Sequence, residues 1–293
     1  MSATDAACFR FVQIDVPGRI GLDDGRYLLR RPQPEGDETV VVVQTLGAPA
    51  AGRPKRRRRR PRPVELPDQP VEVPVTRLTV IPAQDLSPEE AEQVVDSAAG
   101  DVDAAEATVL GGLHAANRLM RAHRVATQDP YGHEIGRSTP VAVRVGFGTG
   151  GELADGRWTR AIDVPPPERR RRRTEALRPQ ERLAELLAGR ETIDVCETLL
   201  LRARADVDQD RTREAALQLM PGLDALLAEL PDRGGPGQEE DLASLRERRE
   251  EINRASADAI RGDLTPEQVE EVTEALRLCE RVLRRRQALR ESG

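Results

Sequence analysis

Aromatic residues and lysine are both scarce in this chain of 293 residues, in which Phe, Tyr and Trp together make up 2%. A hydrophobic core must therefore be built from Leu, Val and Ala. Lys55 is the only lysine, so 44 of the 45 basic Lys and Arg residues are arginine. Because the two residues have similar helix propensities, folding does not explain this bias. The bias is typical of a GC-rich bacterial genome, and it gives only weak support to any arginine-specific role.

Cysteine and histidine are too few and too scattered to indicate a metal site. Cys8, Cys196 and Cys279 are odd in number and far apart, which argues against a disulfide framework and against clustered zinc ligands. His114 and His123 are nine residues apart, so they would point to opposite faces of one helix. We therefore expect no metal and no cofactor.

Long apolar segments are also missing. The longest strongly apolar stretch, near Val40–Val43, is far shorter than the roughly 20 residues that a membrane-spanning helix needs. Residues 1–11 have neither the basic nor the apolar region of a secretory signal. The sequence predicts a cytoplasmic protein that does not bind membranes.

Strand and helix signals separate along the chain and predict an α+β fold. A small, mostly antiparallel β-containing N-terminal half is followed by an all-helical C-terminal region, because residues after Glu168 carry helical periodicity and no aromatic side chain. The predicted divisions are a short β-strand segment at 1–47, a Pro/Arg-rich linker or loop at 48–70, a β-α-α-β-β domain at 71–167 and a helical region at 168–293 that ends in a helical hairpin.

The segment Gly146–Gly151 fits the G-x-G-x-x-G pattern of dinucleotide-binding loops. Such a site needs a full helix after the glycines, whose first turn binds the pyrophosphate. Here only Glu152–Asp155 precedes Gly156 and another β-like run, so an irregular hairpin connection is favoured. A third alternative is a small-molecule enzyme with its site in the Tyr131–Gly151 loops, which include His133, and the sequence indicates no catalytic residue.

Runs of arginine are the most unusual feature of the sequence. One run has eight cations and no acid: Arg53, Lys55, Arg56, Arg57, Arg58, Arg59, Arg60 and Arg62. Neutralising phosphates with such a run releases counterions, so it could bind nucleic acid or another polyanion. The alternatives are a solvated loop, or an intramolecular partner for residues 84–106, which hold eight acids and no cation.

The last predicted helix, Thr265–Arg290, has an apolar seam with spacings of three and four residues. Its members are Val269, Val272, Leu276, Cys279 and Leu283. The seam covers only two heptads, fewer than a coiled coil usually needs. We expect it to pack first in a hairpin against the helix at Asp241–Ile260, because the connecting loop is short, and only second in a homodimer.

The sequence shows no spacing of catalytic residue types that predicts an active site, whereas it contains long amphipathic helices. We therefore expect a non-catalytic, cytoplasmic protein-interaction or scaffold protein with an unknown protein partner. The alternative is a nucleic-acid-associated protein that uses the run from Arg53 to Arg62.

Overall fold

The chain divides into two units, Met1–Arg169 and Arg170–Gly293. The computed structural model describes residues 7–30, 38–47, 73–166, 173–230 and 237–290. The predicted linker at 48–70 lies outside the described residues.

The N-terminal unit is built on one six-stranded antiparallel sheet, in the order β2-β3-β4-β1-β5-β6. Its strands are β1 (Cys8–Pro17), β2 (Gly25–Leu29), β3 (Thr39–Leu46), β4 (Val75–Pro82), β5 (Ala142–Thr149) and β6 (Arg160–Asp163). Strands from both predicted β-containing segments, 1–47 and 71–167, therefore join in the same sheet, with β1 at its centre between β4 and β5.

The side chains of β1 alternate between the two faces of the sheet, as the pleat requires. Val12, Ile14 and Val16 lie in the main core, together with Val80 of β4. Phe11 points to the other face, where it belongs to a smaller apolar cluster. Both faces of the central strand are therefore buried.

Three helices belong to this unit: α1 (Pro88–Gly100), α2 (Val102–Thr127) and α3 (Gly150–Ala154). A capping box starts α1, since the Glu90 amide donates to Ser87 Oγ over 3.2 Å and the Ser87 amide donates to Glu90 Oε2 over 2.8 Å. Helix α2 packs closely on the sheet at Gly112, where a Cβ atom would lie 2.6 Å from Val12 Cβ. The absence of a side chain at Gly112 therefore permits α2 to approach Val12 of β1 closely.

The C-terminal unit contains α4 (Arg173–Leu187), α5 (Val195–Asp208), α6 (Thr212–Glu229), α7 (Gln238–Arg261) and α8 (Pro266–Arg290). Helices α5, α6, α7 and α8 share one core, whose largest fully buried side chains are Leu200, Leu219, Leu223, Leu226, Leu245, Ile252 and Leu276. Pro221 lies within α6, which continues past it as a single helix. The predicted α+β class is thus confirmed.

Candidate functional site

The predicted polyanion-binding residues lie outside the described part of the chain. These are Arg53, Lys55, Arg56, Arg57, Arg58, Arg59, Arg60 and Arg62. The acidic segment at 84–106 is described, and it has basic partners in the N-terminal unit itself. Arg160 of β6 bonds to Glu92 and, over 2.8 Å, to Asp96, and Arg137 bonds to Glu106 over 3.0 Å. Part of the acidic charge of this segment is therefore already paired with arginine.

The predicted α8 seam faces the core of the helical unit. Val272, Leu276 and Cys279 are buried, Leu283 packs against the same core, and Val269 is half-buried. Helix α8 contacts α5, α6 and α7. The seam is therefore covered by helices of the same chain.

Charged side chains along α8 have partners within the same unit. Near the start of the helix, Glu271 binds Arg248 of α7 over 2.7 Å. Near its end, Arg285 pairs with Asp241 in the first turn of α7. The Arg285 contact joins the end of α8 to the start of α7, and a short connection joins the end of α7 to the start of α8, so the two helices form an antiparallel hairpin. Partners of opposite charge that a second copy of α8 could have supplied are thus present inside one chain.

The loop between α2 and β5 is held by a buried amide that the sequence analysis did not single out. Asn117 Nδ2 donates to the Ile135 carbonyl over 3.1 Å, and Asn117 Oδ1 accepts from the Ile135 amide over 2.7 Å. Tyr131 and His133 of this loop are exposed. The signal was available in the sequence, because Asn is rare in this chain and this one falls in the apolar face of a predicted helix.

The glycines of the G-x-G-x-x-G segment support packing of the sheet. A Cβ atom at Gly146 would lie 2.3 Å from the Arg160 carbonyl oxygen, so this glycine permits β5 and β6 to approach each other. The segment leads through the single turn of α3 into β6, which pairs antiparallel with β5. This connection is a hairpin, whereas a dinucleotide fold places a long helix between parallel strands.

A charged cluster surrounds Asp15, on the face of the sheet opposite α2. Arg77 binds its carboxylate in bidentate fashion over 2.8 and 2.9 Å, and Arg144 binds Oδ2 over 3.0 Å. Burial raises the pKa of the Asp15 carboxyl, but the two arginines outweigh this effect, so the pKa is lowered overall. Arg144 also lies 5.6 Å from the ring centre of Trp158. These groups bind one another, which favours a structural role over acid-base chemistry.

The two buried cysteines are poor nucleophiles. Burial raises the pKa of the Cys196 thiol to about 12, and the Glu229 carboxylate contributes to the rise. Burial also raises the pKa of the Cys279 thiol to about 12. Both are thiols at neutral pH, whereas nucleophilic attack requires the thiolate. In the described ranges, His, Cys, Asp and Glu form no group of three that could hold a metal ion.

A series of large apolar side chains is exposed on the first two helices of the C-terminal unit and on the loop between them. We call it the α4–α5 surface, and its members are Leu183, Leu187, Ile193, Val195 and Leu201. Leu187 is 80% exposed and Leu201 71%. Since residues four apart share a face of a helix, Leu183 and Leu187 lie on the same side of α4.

Polar contacts position the α4–α5 surface. Arg182 of α4 binds Glu197 in the first turn of α5 over 2.6 Å and Glu191 of the connecting loop over 3.0 Å. Glu229 accepts hydrogen bonds from the amides of Val195 and Cys196 over 3.1 and 3.2 Å, which satisfies amides of the first turn of α5. The exposed apolar residues are therefore presented on elements that are tied together.

None of the helices in the described ranges is long and apolar enough to cross a membrane. Comparisons with protein-family models, with curated proteins and with solved structures found no match to this chain.

Proposed function

We propose that this chain is a non-catalytic, cytoplasmic protein-interaction or scaffold protein, and that the α4–α5 surface contacts its protein partner. The observation that carries the proposal is the exposure of five large apolar side chains between Leu183 and Leu201. Exposed apolar patches are typical of protein contact surfaces, and these five side chains lie on two helices and a loop that the contacts of Arg182 join. Burying them against a partner would contribute about 25 cal/mol for each Å² of apolar surface removed from water.

The chemistry of the remaining described groups supports a non-catalytic role. The Asp15 carboxylate is engaged by two arginines, and the thiols of Cys196 and Cys279 have raised pKa values. His133 lies in an exposed loop, apart from the helix that carries His114 and His123. The described residues thus offer no obvious pair of nucleophile and base of the kind that covalent catalysis uses.

The proposal is tested with a variant that removes apolar surface without touching the core. In Leu187→Ser/Leu201→Ser, both substituted side chains are mostly exposed, so the thermal unfolding midpoint is expected to stay within a few degrees of wild type. Wild-type and variant proteins are immobilised, and proteins retained from a lysate are identified by mass spectrometry. A retained protein is then purified, and its Kd for each variant is measured. We expect wild-type chain to bind it and the double variant to lose at least tenfold in affinity.

Ile260→Ser is the matched control, because Ile260 is 70% exposed but lies at the end of α7, outside the α4–α5 surface. This variant should bind the purified partner like wild type. Equal binding by the wild type and the double variant would contradict the proposed contact surface, as would equal losses in the double variant and the control.

Nucleic-acid binding through the run from Arg53 to Arg62 stays a prediction, because the run lies outside the described residues. Replacing Arg56–Arg60 by Ser should abolish binding to duplex DNA or RNA and flatten the dependence of affinity on salt. The absence of binding by the wild-type chain at low salt would contradict this alternative. The absorbance ratio at 260 and 280 nm of the purified protein, before and after a high-salt wash, gives a first indication.

A further inference from the structure

Beside the close contact between Gly112 and Val12, the N-terminal unit has a cavity of about 480 Å³ between α2 and the sheet. Its floor is apolar and includes the buried side chains of Val12, Val80 and Val145. The facing side of α2 contributes small residues, Ala107, Thr108, Gly111 and Ala115. Small residues on the helix leave space over an apolar floor, and the volume falls within the range of small-molecule sites.

Basic side chains also line this cavity. Arg10 comes from β1 and Arg118 from α2, and both are exposed, whereas His114 of α2 is half-buried. Arg118 Nη2 donates to the Arg30 carbonyl over 3.1 Å. Arg10 has no ion pair or hydrogen bond of its side chain within the described ranges, and its charge is therefore available to a ligand.

Acidic side chains are missing from the described lining of the cavity. Glu38 lines a smaller recess that shares Arg10 and Pro82 with the cavity. Glu38 is itself paired with Arg30, over 2.8 Å. The lining of the cavity thus combines positive charge with an apolar floor.

We propose that this cavity binds a small organic acid with one carboxylate and an apolar body. The carboxylate binds Arg10 and Arg118, since hydrogen bonds between guanidinium and carboxylate groups are among the strongest in proteins. The apolar body lies against Val12, Val80 and Val145. An uncharged ligand would leave the two arginines without an anionic partner. A ligand without an apolar body would leave the apolar floor of the cavity exposed to water.

Gly111 provides a way to fill the cavity from the helix side. A Cβ atom at Gly111 would meet no atom within 4 Å, in contrast to Gly112, where it would collide with Val12. Helix packing therefore does not require glycine at position 111. A leucine there would occupy part of the cavity and would also raise the helix propensity of α2.

The experiment uses the full chain and octanoate as the probe, with 1-octanol as the uncharged analogue of equal chain length. Isothermal titration calorimetry should show saturable binding of one octanoate per chain and at least tenfold weaker binding of 1-octanol. Arg10→Gln should weaken octanoate binding about tenfold, because a charge-assisted contact is lost. Gly111→Leu should abolish binding while the unfolding midpoint stays at or above that of wild type.

Arg19→Gln is the control for the loss of one positive charge, because Arg19 is exposed beyond the far end of β1 from Arg10. It should bind octanoate like wild type. The proposal is overturned if wild-type chain shows no saturable binding of octanoate, if 1-octanol binds equally well, or if Arg10→Gln and Arg19→Gln have the same effect. Undiminished binding by a folded Gly111→Leu variant would place the ligand elsewhere and would overturn it as well.

Discussion

Asp15 illustrates how one residue joins distant parts of the sheet. Its carboxylate binds Arg77, which is 62 positions away, and Arg144, which is 129 positions away. The side chain of Asp15 is only 8% exposed, and those of the two arginines are 20% and 23% exposed. A buried charge of this kind is stable only with its partners, because removing one partner leaves an uncompensated charge.

Asp15→Asn is therefore expected to destabilise the N-terminal unit by about 3 kcal/mol, since it leaves two arginines without their shared carboxylate. Urea unfolding of wild type and variant at pH 7 measures the difference. The matched control is Asp163→Asn, which removes the other carboxylate that Arg144 binds, at 3.1 Å, but from a side chain that is 76% exposed. That exposed pair should contribute less than about 1 kcal/mol. Similar losses in the two variants would contradict the structural role assigned to Asp15.

The same residue should give the stability of the fold a dependence on pH. The pKa of Asp15 is lower in the folded chain than in the unfolded chain, where the pKa of an Asp is about 4. Its contribution is therefore present above the unfolded pKa and is lost as the pH falls through the lower folded pKa. Urea unfolding at a series of pH values should show wild type losing more stability than Asp15→Asn below about pH 4. Parallel curves for the two proteins would contradict this.

At the scale of single elements, signals carried by neighbouring residues were readable from the sequence. The patterns Ser87–Glu90 and Thr265–Gln268 in the sequence are typical of capping boxes, and both boxes are formed in the structure, at the starts of α1 and α8. A third capping box, between Thr149 and Glu152, starts α3 inside the glycine-rich segment, for which the sequence predicts only an irregular hairpin connection. A capping box needs only four consecutive residues, and it can therefore be recognised without knowledge of the fold.

Pairing between distant elements was not readable in this way. The sequence predicted short strands within 1–47 but not that β1 would lie between β4 and β5, because strand order depends on contacts far apart in the chain. The same limit applies to the candidate sites. Both candidate sites, the cavity between α2 and β1 and the exposed Leu187 and Leu201, depend on which helix faces other elements cover. A local sequence pattern does not contain that information.

Helix α2 provides a test of how closely helix and sheet approach. Gly112→Ala should destabilise the N-terminal unit by about 2 kcal/mol, because the new Cβ atom would lie 2.6 Å from Val12 Cβ and overpacking outweighs the gain in helix propensity. Gly111→Ala should instead stabilise it by up to about 1 kcal/mol, since that position is open. Thermal and urea unfolding of both variants measure the difference, and effects of the same sign would contradict the packing described for α2.

Helix α8 should stabilise the C-terminal unit through its buried apolar side chains. Leu276 is fully buried, so Leu276→Ala should lower the free energy of unfolding of the C-terminal unit by about 3 kcal/mol, and Leu276→Asp by more. Leu201→Ala is the control, since that side chain is 71% exposed and should contribute less than about 0.5 kcal/mol. A loss at Leu276 no larger than at Leu201 would contradict the burial of the seam.

Light scattering tests whether α8 also joins two copies of the chain. Because the seam is covered by the chain's own helices, we expect a mass of 32.3 kDa that does not change with concentration. A concentration-dependent dimer that Leu187→Ser/Leu201→Ser abolishes would instead assign self-association to the α4–α5 surface.

For the whole molecule, the division into two units has an energetic consequence. The main core of the N-terminal unit lies between the sheet and α2, whereas α5, α6, α7 and α8 share a separate core. A unit that contains its own hydrophobic core can fold alone.

Residues 1–169 and 170–293, produced separately, should each show a cooperative thermal transition, and the second fragment should have the circular dichroism of a helical protein. As a control, a division after Gly100 separates α1 from α2 and β1 from β5, so residues 1–100 should show no cooperative transition. If residues 1–169 or 170–293 fail to unfold cooperatively, that unit depends on the other for its stability, and two independent cores would not describe this chain.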